Sequence, residues 1–597
     1  MQFYWTYPFS GCIIDYRSIL YNFEVKSMTP KARIDEINVF SDGKLQLAVG
    51  LCEKIGITDL FNRHLEKNEG RPADIPPGIE AAIMIASIVD DGYKPLSGFK
   101  DYYRYKDLEG IFHYPLELEQ LNDDRFGGLL DDFYEAGCRQ IFMEAASLAF
   151  TEYGFKIINI NYDTTSKVMW GEYETYNHLE DCGKDTSYIS IDFGHSKDKR
   201  NDKKQIKVGI GTANGIVADA KVLSGNLDDK TYNRDNLEDL DQLLVQMDIN
   251  RDEFYYIADS ALFTETNIIK AEENDISFIT RIPDNYKLAR KLIADPLADT
   301  AQVVEITKAN DEKSIYRLTE TIDEYKGHPC KLAVIYSQQL EETKQKTAQK
   351  KIDKEKDKTI KKLKKYKNRS FKCLPDAKEE IESIKEKIEA KLKFYTIDYS
   401  IKEIKIRRPG RPSKNPEDDI ARIEYQLVPE IKLDKNKVKS YIRQQCTFIL
   451  VSNDLDISGE KLLREYKTQS QVEKRFRNLK SPQYMNSLFL KTPQRVEALV
   501  YLLLMVLMIM TIAEKVVRRG LKKDDDVVLA REKRKRKQPT LQSISRIINR
   551  VRVVSYKDET GQTHRQIKVL DDSCKKIIKY LGLDENNFAW NGEANST

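Results

Sequence analysis

The stretch from Lys156 to Ile282 switches repeatedly between strand-like and helix-like patterning, and this switching constrains the fold more than any other feature. Lys156–Tyr162 is a β-rich run that stops at Asp163-Thr164-Thr165-Ser166. Tyr188–Phe193 reads as a second strand, followed by Gly194-His195-Ser196-Lys197. Ile206–Ala213 and Gly215–Leu223 read as a hairpin, because Asn214-Gly215 is a strong tight-turn signal. Asp235–Met247 has helical spacing, Phe254–Asp259 is a strand ending in an aspartate, Thr266–Glu273 is a helix and Ile276–Ile282 a strand. This order belongs to a mixed α/β sheet. Two of its strands end in Asp163 and Asp259, and the carboxyl ends of strands are where α/β sheets hold ligands and metals.

A third carboxylate lies in Tyr466–Pro482. Tyr466, Glu473 and Lys480 are spaced seven residues apart, close to two turns of α-helix, with Gln469 one turn before the glutamate. Read as one helix, this segment puts a phenol, a carboxylate and an ammonium on one face. Val472, Phe476 and Leu479 form an apolar stripe beside them, and Ser481-Pro482 ends the helix. By itself such a segment is also what an ordinary amphipathic surface helix looks like.

A chain of 597 residues allows two to four domains. Its eight cysteines form no CxxC pair and no Cys/His cluster with zinc spacing, which fits free thiols in a reducing cytoplasm. Six histidines leave little room for imidazole chemistry, whereas 95 Asp and Glu favour hard-metal oxygen sites. Ala498–Ala513 is strongly apolar but short for a bilayer, and is expected as a buried core helix rather than a membrane span. The N-terminus lacks a leader pattern.

Residues 1–150 read as a helical domain, a candidate for DNA-end binding or dimerisation, with helices at Ile79–Val89 and from Asn122 to about Phe150. Residues 151–299 read as the first part of the core and 300–455 as an α+β insertion domain. Residues 456–525 return to the core, and 526–597 form a basic C-terminal region. The insertion carries a charged helical hairpin, Glu341–Lys367 and Ala377–Leu392, expected to stand in solvent or reach along DNA. Gly410-Arg411-Pro412, flanked by basic residues including Arg408, then resembles an AT-hook core whose Arg411 suits a narrow minor groove, the alternative being a plain basic linker.

Taken together, Asp163, Asp259 and Glu473 suit a two-metal phosphoryl-transfer site. The chain resembles the DDE-type insertion-sequence transposases, with a ribonuclease-H-like core. The family's Tyr-x2-Arg-x3-Glu-x6-Lys signature appears as Tyr466-x2-Gln469-x3-Glu473-x6-Lys480. The blocks Tyr162–Ser166, Leu223–Asn226 and Ile257–Ala261 match as well, and Gly194–Asp198 resembles insertion sequence family 1634. The resemblance covers roughly residues 50 to 555. It implies two Mg²⁺ ions, replaceable by Mn²⁺, held by Asp163, Asp259 and Glu473. It also implies Tyr466, Gln469 and Lys480 facing phosphate. The expected substrates are double-stranded terminal inverted repeats and target DNA, handled by a homodimer in the nucleoid-bearing cytoplasm without a membrane. The expected reaction is cut-and-paste transposition. Gln469 departs from the family arginine and supplies no guanidinium fork, while Arg477 offers one a turn after Glu473. The alternative is a non-catalytic or domesticated DNA-binding descendant of a transposase.

Overall fold

The structure is a computed structural model. It describes residues 37–592 apart from 66–73, 93, 172, 174–188, 295–300, 308–311, 368, 410–416, 418–419, 482–487, 489, 531–533 and 559. Two compact units are present, one of residues 133–508 and one that joins residues 1–132 to 509–597.

In the first unit, β1 (Asn159–Val168) pairs antiparallel with β2 (Gln205–Ala213), which turns through Asn214 and Gly215 into β3 (Ile216–Ser224). Both turn residues have positive φ, 54° and 71°, the conformation that Asn-Gly provides at low cost. Helix α1 (Asp229–Gln246) follows, starting earlier than its apolar spacing indicated, because Asp228 caps the amides of Lys230 and Thr231. The chain then adds β4 (Tyr255–Ala258) and β5 (Ser277–Arg281), each parallel to its inner neighbour, around helix α2 (Glu265–Glu273). The order β3-β2-β1-β4-β5, antiparallel on one side and parallel on the other, is the ribonuclease-H-like arrangement.

The sheet does not stop there. Strands β6 (Gln302–Thr307), β7 (Lys313–Tyr325) and β8 (His328–Ser337) extend it, and a later strand at Thr447–Ser452 bridges β5 and β8. Part of the stretch 300–455, expected as a single insertion, is therefore continuous with the core in a nine-stranded sheet. What stands off the sheet is residues 341–446. Helix α3 spans Glu341–Lys367 as its spacing indicated, and α4 spans Leu374–Lys387. Neither is a free arm. Leu363, Ile384 and Ile388 pack on Ile397 and Leu427 of the long hairpin β9 (Tyr395–Arg407) and β10 (Ile420–Leu433). The hairpin is solvated along most of its surface, as expected, and docked on one face by this apolar seam. Tyr188–Phe193 also falls short of a strand, since its described part makes one bridge, Asp192 to Gln205, and one further backbone bond, from the Gly225 amide to the Ser190 carbonyl.

Helix α5 (Gly459–Lys467), α6 (Ser470–Leu479) and α7 (Pro493–Lys523) complete the chain's passage through the core. Helix α7 is long and apolar enough to cross a membrane, but its most apolar window is 94% buried in the fold. Burial also raises the pKa of Glu497 on α7 to about 7. A carboxyl whose folded pKa is raised keeps its full stability in acid and loses it as pH rises from the ordinary glutamate range through that value. The cost above pH 7 is about 3 kcal/mol. Glu497→Gln is therefore expected to raise the melting temperature at pH 8 and to change it little at pH 5, as scanning calorimetry can check.

In the second unit, Asn38–Phe40 pairs with Arg552–Lys557, which pairs with Thr563–Val569. The N-terminal helical region and the basic C-terminal region, read from sequence as separate, thus share a sheet. Helix Cys138–Glu152, placed by sequence in the N-terminal domain, packs instead on β3 of the core.

Candidate active site

Position along β1 decides what the first aspartate meets. Side chains alternate across a strand, so Asn159, Asn161 and Asp163 share a face. Asn159 Nδ2 donates to Glu465 Oε2 at 2.5 Å, and Thr468 Oγ1 donates to Asn161 Oδ1 at 2.9 Å. Both partners lie at the junction of α5 and α6. The strand that carries Asp163 therefore also anchors the chain that carries Glu473.

This anchoring breaks the single helix expected over Tyr466–Lys480. Thr468 Oγ1 also bonds to Glu465 O at 2.6 Å, and the amides of Thr468, Gln469, Gln471 and Val472 each reach back three residues. That tightened turn separates α5 from α6. Tyr466 lies in the last turn of α5, Gln469 sits at the half-buried junction, Glu473 lies in the first turn of α6 and Lys480 caps its end. Leu462, Leu463 and Tyr466 pack on Tyr316, Leu318 and Phe448, so the added strands form the floor under Tyr466. Helix α6 packs on β1 and β2 through Val472, Arg475, Phe476 and Leu479, with Arg475 Nε donating to Gly215 O at 2.6 Å. Glu473 and Arg477 face outward.

Electrostatics ties the three carboxylates together. Burial first, then the negative charges of Asp259, Glu473 and Asp163 against the opposing Arg281, push the Tyr466 phenol up to about 12. It remains a hydroxyl donor at neutral pH. Asp259 follows β4, beside the Tyr162–Ala258 pairing of β1 with β4. Burial raises its pKa, Asp163 and Asp229 add to the rise, and the Ala261 amide and Lys197 oppose it.

Four participants escaped the sequence reading. Asp229 accepts from Thr164 Oγ1 at 2.6 Å and pairs with Lys207 at 3.4 Å. Burial raises its pKa, but the Thr164 hydroxyl, Lys197 and Lys207 together hold it below the usual aspartate value. Lys197 Nζ lies 3.0 Å from Asp163 Oδ1 and 2.5 Å from Thr164 O. Burial works against its ammonium, but Asp163 and Asp229 outweigh this and raise its pKa. Arg281 stands over the Phe448 ring and pairs with Asp284. The available signals were the Asp at the start of α1 and the lysine in Gly194–Asp198, but which strand each would reach depends on pairing distant in sequence. Lys480, expected to face phosphate, pairs with Asp198 at 2.7 Å. Arg408 is exposed at the end of β9, whereas Gly410 and Arg411 lie outside the described residues.

The donor set fits a hard divalent cation, being all carboxylate oxygen. As the side chains stand, no three His, Cys, Asp or Glu among the described residues are close enough to hold one ion, and the Lys197 ammonium rests on Asp163.

The family described as Transposase DDE domain matches residues 180–509, more than half of the chain, and takes in Asp259 and Glu473. The chain belongs to this family. It is a DNA transposase with a ribonuclease-H-like fold. Residues 38–147 of the transposase match a second family, a domain of unknown function named DUF4277. No curated protein matches it. Among solved structures, it is similar to piggyBac transposase in a synaptic complex with hairpin DNA. That likeness has 10% identity over 86% of this chain and 80% of that one, with a TM-score of 0.33. It is also similar to Mos1 transposase in a paired-end complex with the left transposon end. Here identity is 12% over 38% of this chain and 64% of that one, with a TM-score of 0.14. The family match, not these two likenesses, decides the assignment.

Proposed function

We propose that this transposase cleaves double-stranded DNA at inverted-repeat element ends and joins the exposed 3′-hydroxyl to target DNA. Asp163, Asp259 and Glu473 would hold two Mg²⁺ ions, for which Mn²⁺ can substitute. The observation that carries this reading is the anchoring of the turn before α6 to β1 by the Asn159–Glu465 and Thr468–Asn161 bonds. The Tyr466 hydroxyl, its pKa raised first by burial, also feels Asp259, Glu473 and Asp163. Asp163 lies midway along β1, not at its end as the sequence suggested, Asp259 directly follows β4 and Glu473 is on α6.

When bound, the two ions supply activation of the attacking oxygen and stabilisation of the leaving oxygen. The chain supplies the remainder. Tyr466, protonated at neutral pH, donates a hydrogen bond to a non-bridging phosphate oxygen. Arg281 and Arg477 offer positive charge on the approach to Glu473, in place of the arginine that the family has at Gln469. Gln469 contributes an amide only, and its backbone shapes the turn that aims α6. Arg408, with Gly410 and Arg411, contacts the minor groove of the DNA. Two element ends must be paired, so the active assembly is a homodimer on DNA.

Purified protein incubated with element-end DNA and Mg²⁺ should convert a labelled end into a strand-transfer product, and chelation should abolish it. An end that is bound but never nicked, at any Mg²⁺ or Mn²⁺ concentration, would instead establish a non-catalytic DNA-binding descendant.

A further inference from the structure

We propose that Lys197 is a tethered counter-ion that occupies the first-aspartate site in the DNA-free protein and must leave it for a divalent metal to bind. The inference rests on the metal-holding reading of Asp163, Asp259 and Glu473. Three carboxylates, Asp163, Asp229 and Asp259, interact electrostatically here, and two ammonium groups face them. Lys207, whose side chain is 6% exposed, is committed to Asp229. Lys197 bridges Asp163 at 3.0 Å and Asp229 at 3.7 Å, and it is also bonded to the Thr164 carbonyl. A single ammonium therefore stands among the oxygens where a cation is required.

The loop holding Lys197 is built for that placement. A side chain at Gly194 would stand 2.1 Å from the Gly225 carbonyl, so the two backbones touch and only glycine fits there. The Lys197 amide donates to Ser166 Oγ at 2.9 Å, and the Ser196 amide to Asn201 Oδ1 at 2.9 Å. The next residue, Asp198, pairs with Lys480 at the end of α6. Two adjacent residues of one loop thus hold the first aspartate and the end of the glutamate helix. The Lys197 side chain, with four rotatable bonds, can turn away without moving these backbone contacts.

A divalent ion on Asp163 repels the ammonium, and the two cannot share Oδ1. The ammonium then needs another anion. Asp229 offers one, and a DNA phosphate arriving at the site offers a second. Lys197 thereby couples metal loading to DNA occupancy: metal binds weakly without DNA and tightly with it.

Mn²⁺ binding to the full-length, DNA-free protein, followed by electron paramagnetic resonance, tests this without any reaction. Lys197→Gln should bind Mn²⁺ at least about tenfold more tightly than wild type, and Lys197→Arg should stay close to wild type. Equal or weaker binding by Lys197→Gln would overturn the inference. If no Mn²⁺ binds to any form, with or without element-end DNA, the metal-holding reading itself fails. In the wild-type protein, whatever the variants do, Mn²⁺ saturation should raise acetylation of Lys197 by an amine-reactive reagent, read by mass spectrometry. Unchanged labelling would also overturn the inference.

Discussion

Asp259→Asn is expected to abolish strand transfer while raising the thermal stability of the metal-free protein. The aspartate costs stability because it is partly buried and because Asp163 and Asp229 add negative charge around it. The asparagine keeps the same shape and still accepts from the Ala261 amide, a 3.0 Å bond in the wild type. Its neighbour Thr280, which donates to the Asp259 carbonyl at 2.6 Å, is untouched. Relief of the buried charge should yield about 1 kcal/mol, the usual size for a stabilising change at a functional site. The pH dependence follows from the sign of the shift. A carboxyl raised in the folded state contributes its stability in acid and loses it as pH climbs through the folded value. The advantage of asparagine should therefore appear at neutral pH and vanish below the ordinary aspartate value of 3.8. Activity should fall about 10³-fold or more, because a neutral amide cannot balance a divalent ion in a two-metal site. Calorimetry and a single-turnover strand-transfer assay on the same preparation give both numbers. A variant that loses activity and also melts lower would point to a structural role for Asp259.

The second large effect lies in the other unit, where the N-terminal helices meet the C-terminal strands. Arg565→Met should destabilise that unit by about 3–5 kcal/mol, the cost of leaving a buried ion-pair partner behind. Arg565 is nearly fully buried, and every nitrogen of its guanidinium is occupied. Nε and Nη2 bind Asp107 in a fork at 2.6 and 2.9 Å, Nη2 also reaches Glu109 at 2.9 Å, and Nη1 donates to Trp590 O at 3.0 Å. Asp107 at the same time caps the helix Leu108–Phe112 through the Gly110 amide. A side chain at Gly110 would stand 2.5 Å from Arg565 Nε, so the helix start must be glycine for the pair to form. Removing the arginine leaves Asp107 and Glu109 facing each other with no cation between them. Limited proteolysis should then release the region around Thr563–Val569 before the core is cut. Arg565→Lys should recover only part of the loss, because an ammonium cannot make the fork.

The sequence reading succeeded where structure is set locally. The Asn214-Gly215 turn, the strand ending at Asp259 and the helix Glu341–Lys367 all follow from turn chemistry or spacing within a short window. It failed where distant segments decide. That Ser277–Arg281 pairs with Thr447–Ser452, and so draws β6–β8 into the core sheet, is a contact across most of the supposed insertion. The helix over Tyr466–Lys480 has continuous helical spacing. It breaks because Asn159 and Asn161, some three hundred residues earlier, bind the Glu465 and Thr468 side chains. Of the expected carboxylate positions, Asp259 does follow a strand, whereas the strand read as ending at Asp163 runs on to Val168 because Asp163–Val168 pairs with Gln205–Ile210. Lys197 and Asp229 were not legible, since their meeting with Asp163 depends on the order of β1, β2 and β3.

The central claim is that Asp163, Asp259 and Glu473 form one metal-holding site. Its most direct measurement replaces Mg²⁺ by Fe²⁺ in the complex with element-end DNA and maps where locally generated hydroxyl radicals cut the polypeptide. The account predicts cuts clustered beside residues 163, 259 and 473 in the same sample, suppressed by excess Mg²⁺. Cuts confined to one of these positions, or mapping to other acidic stretches, would contradict it.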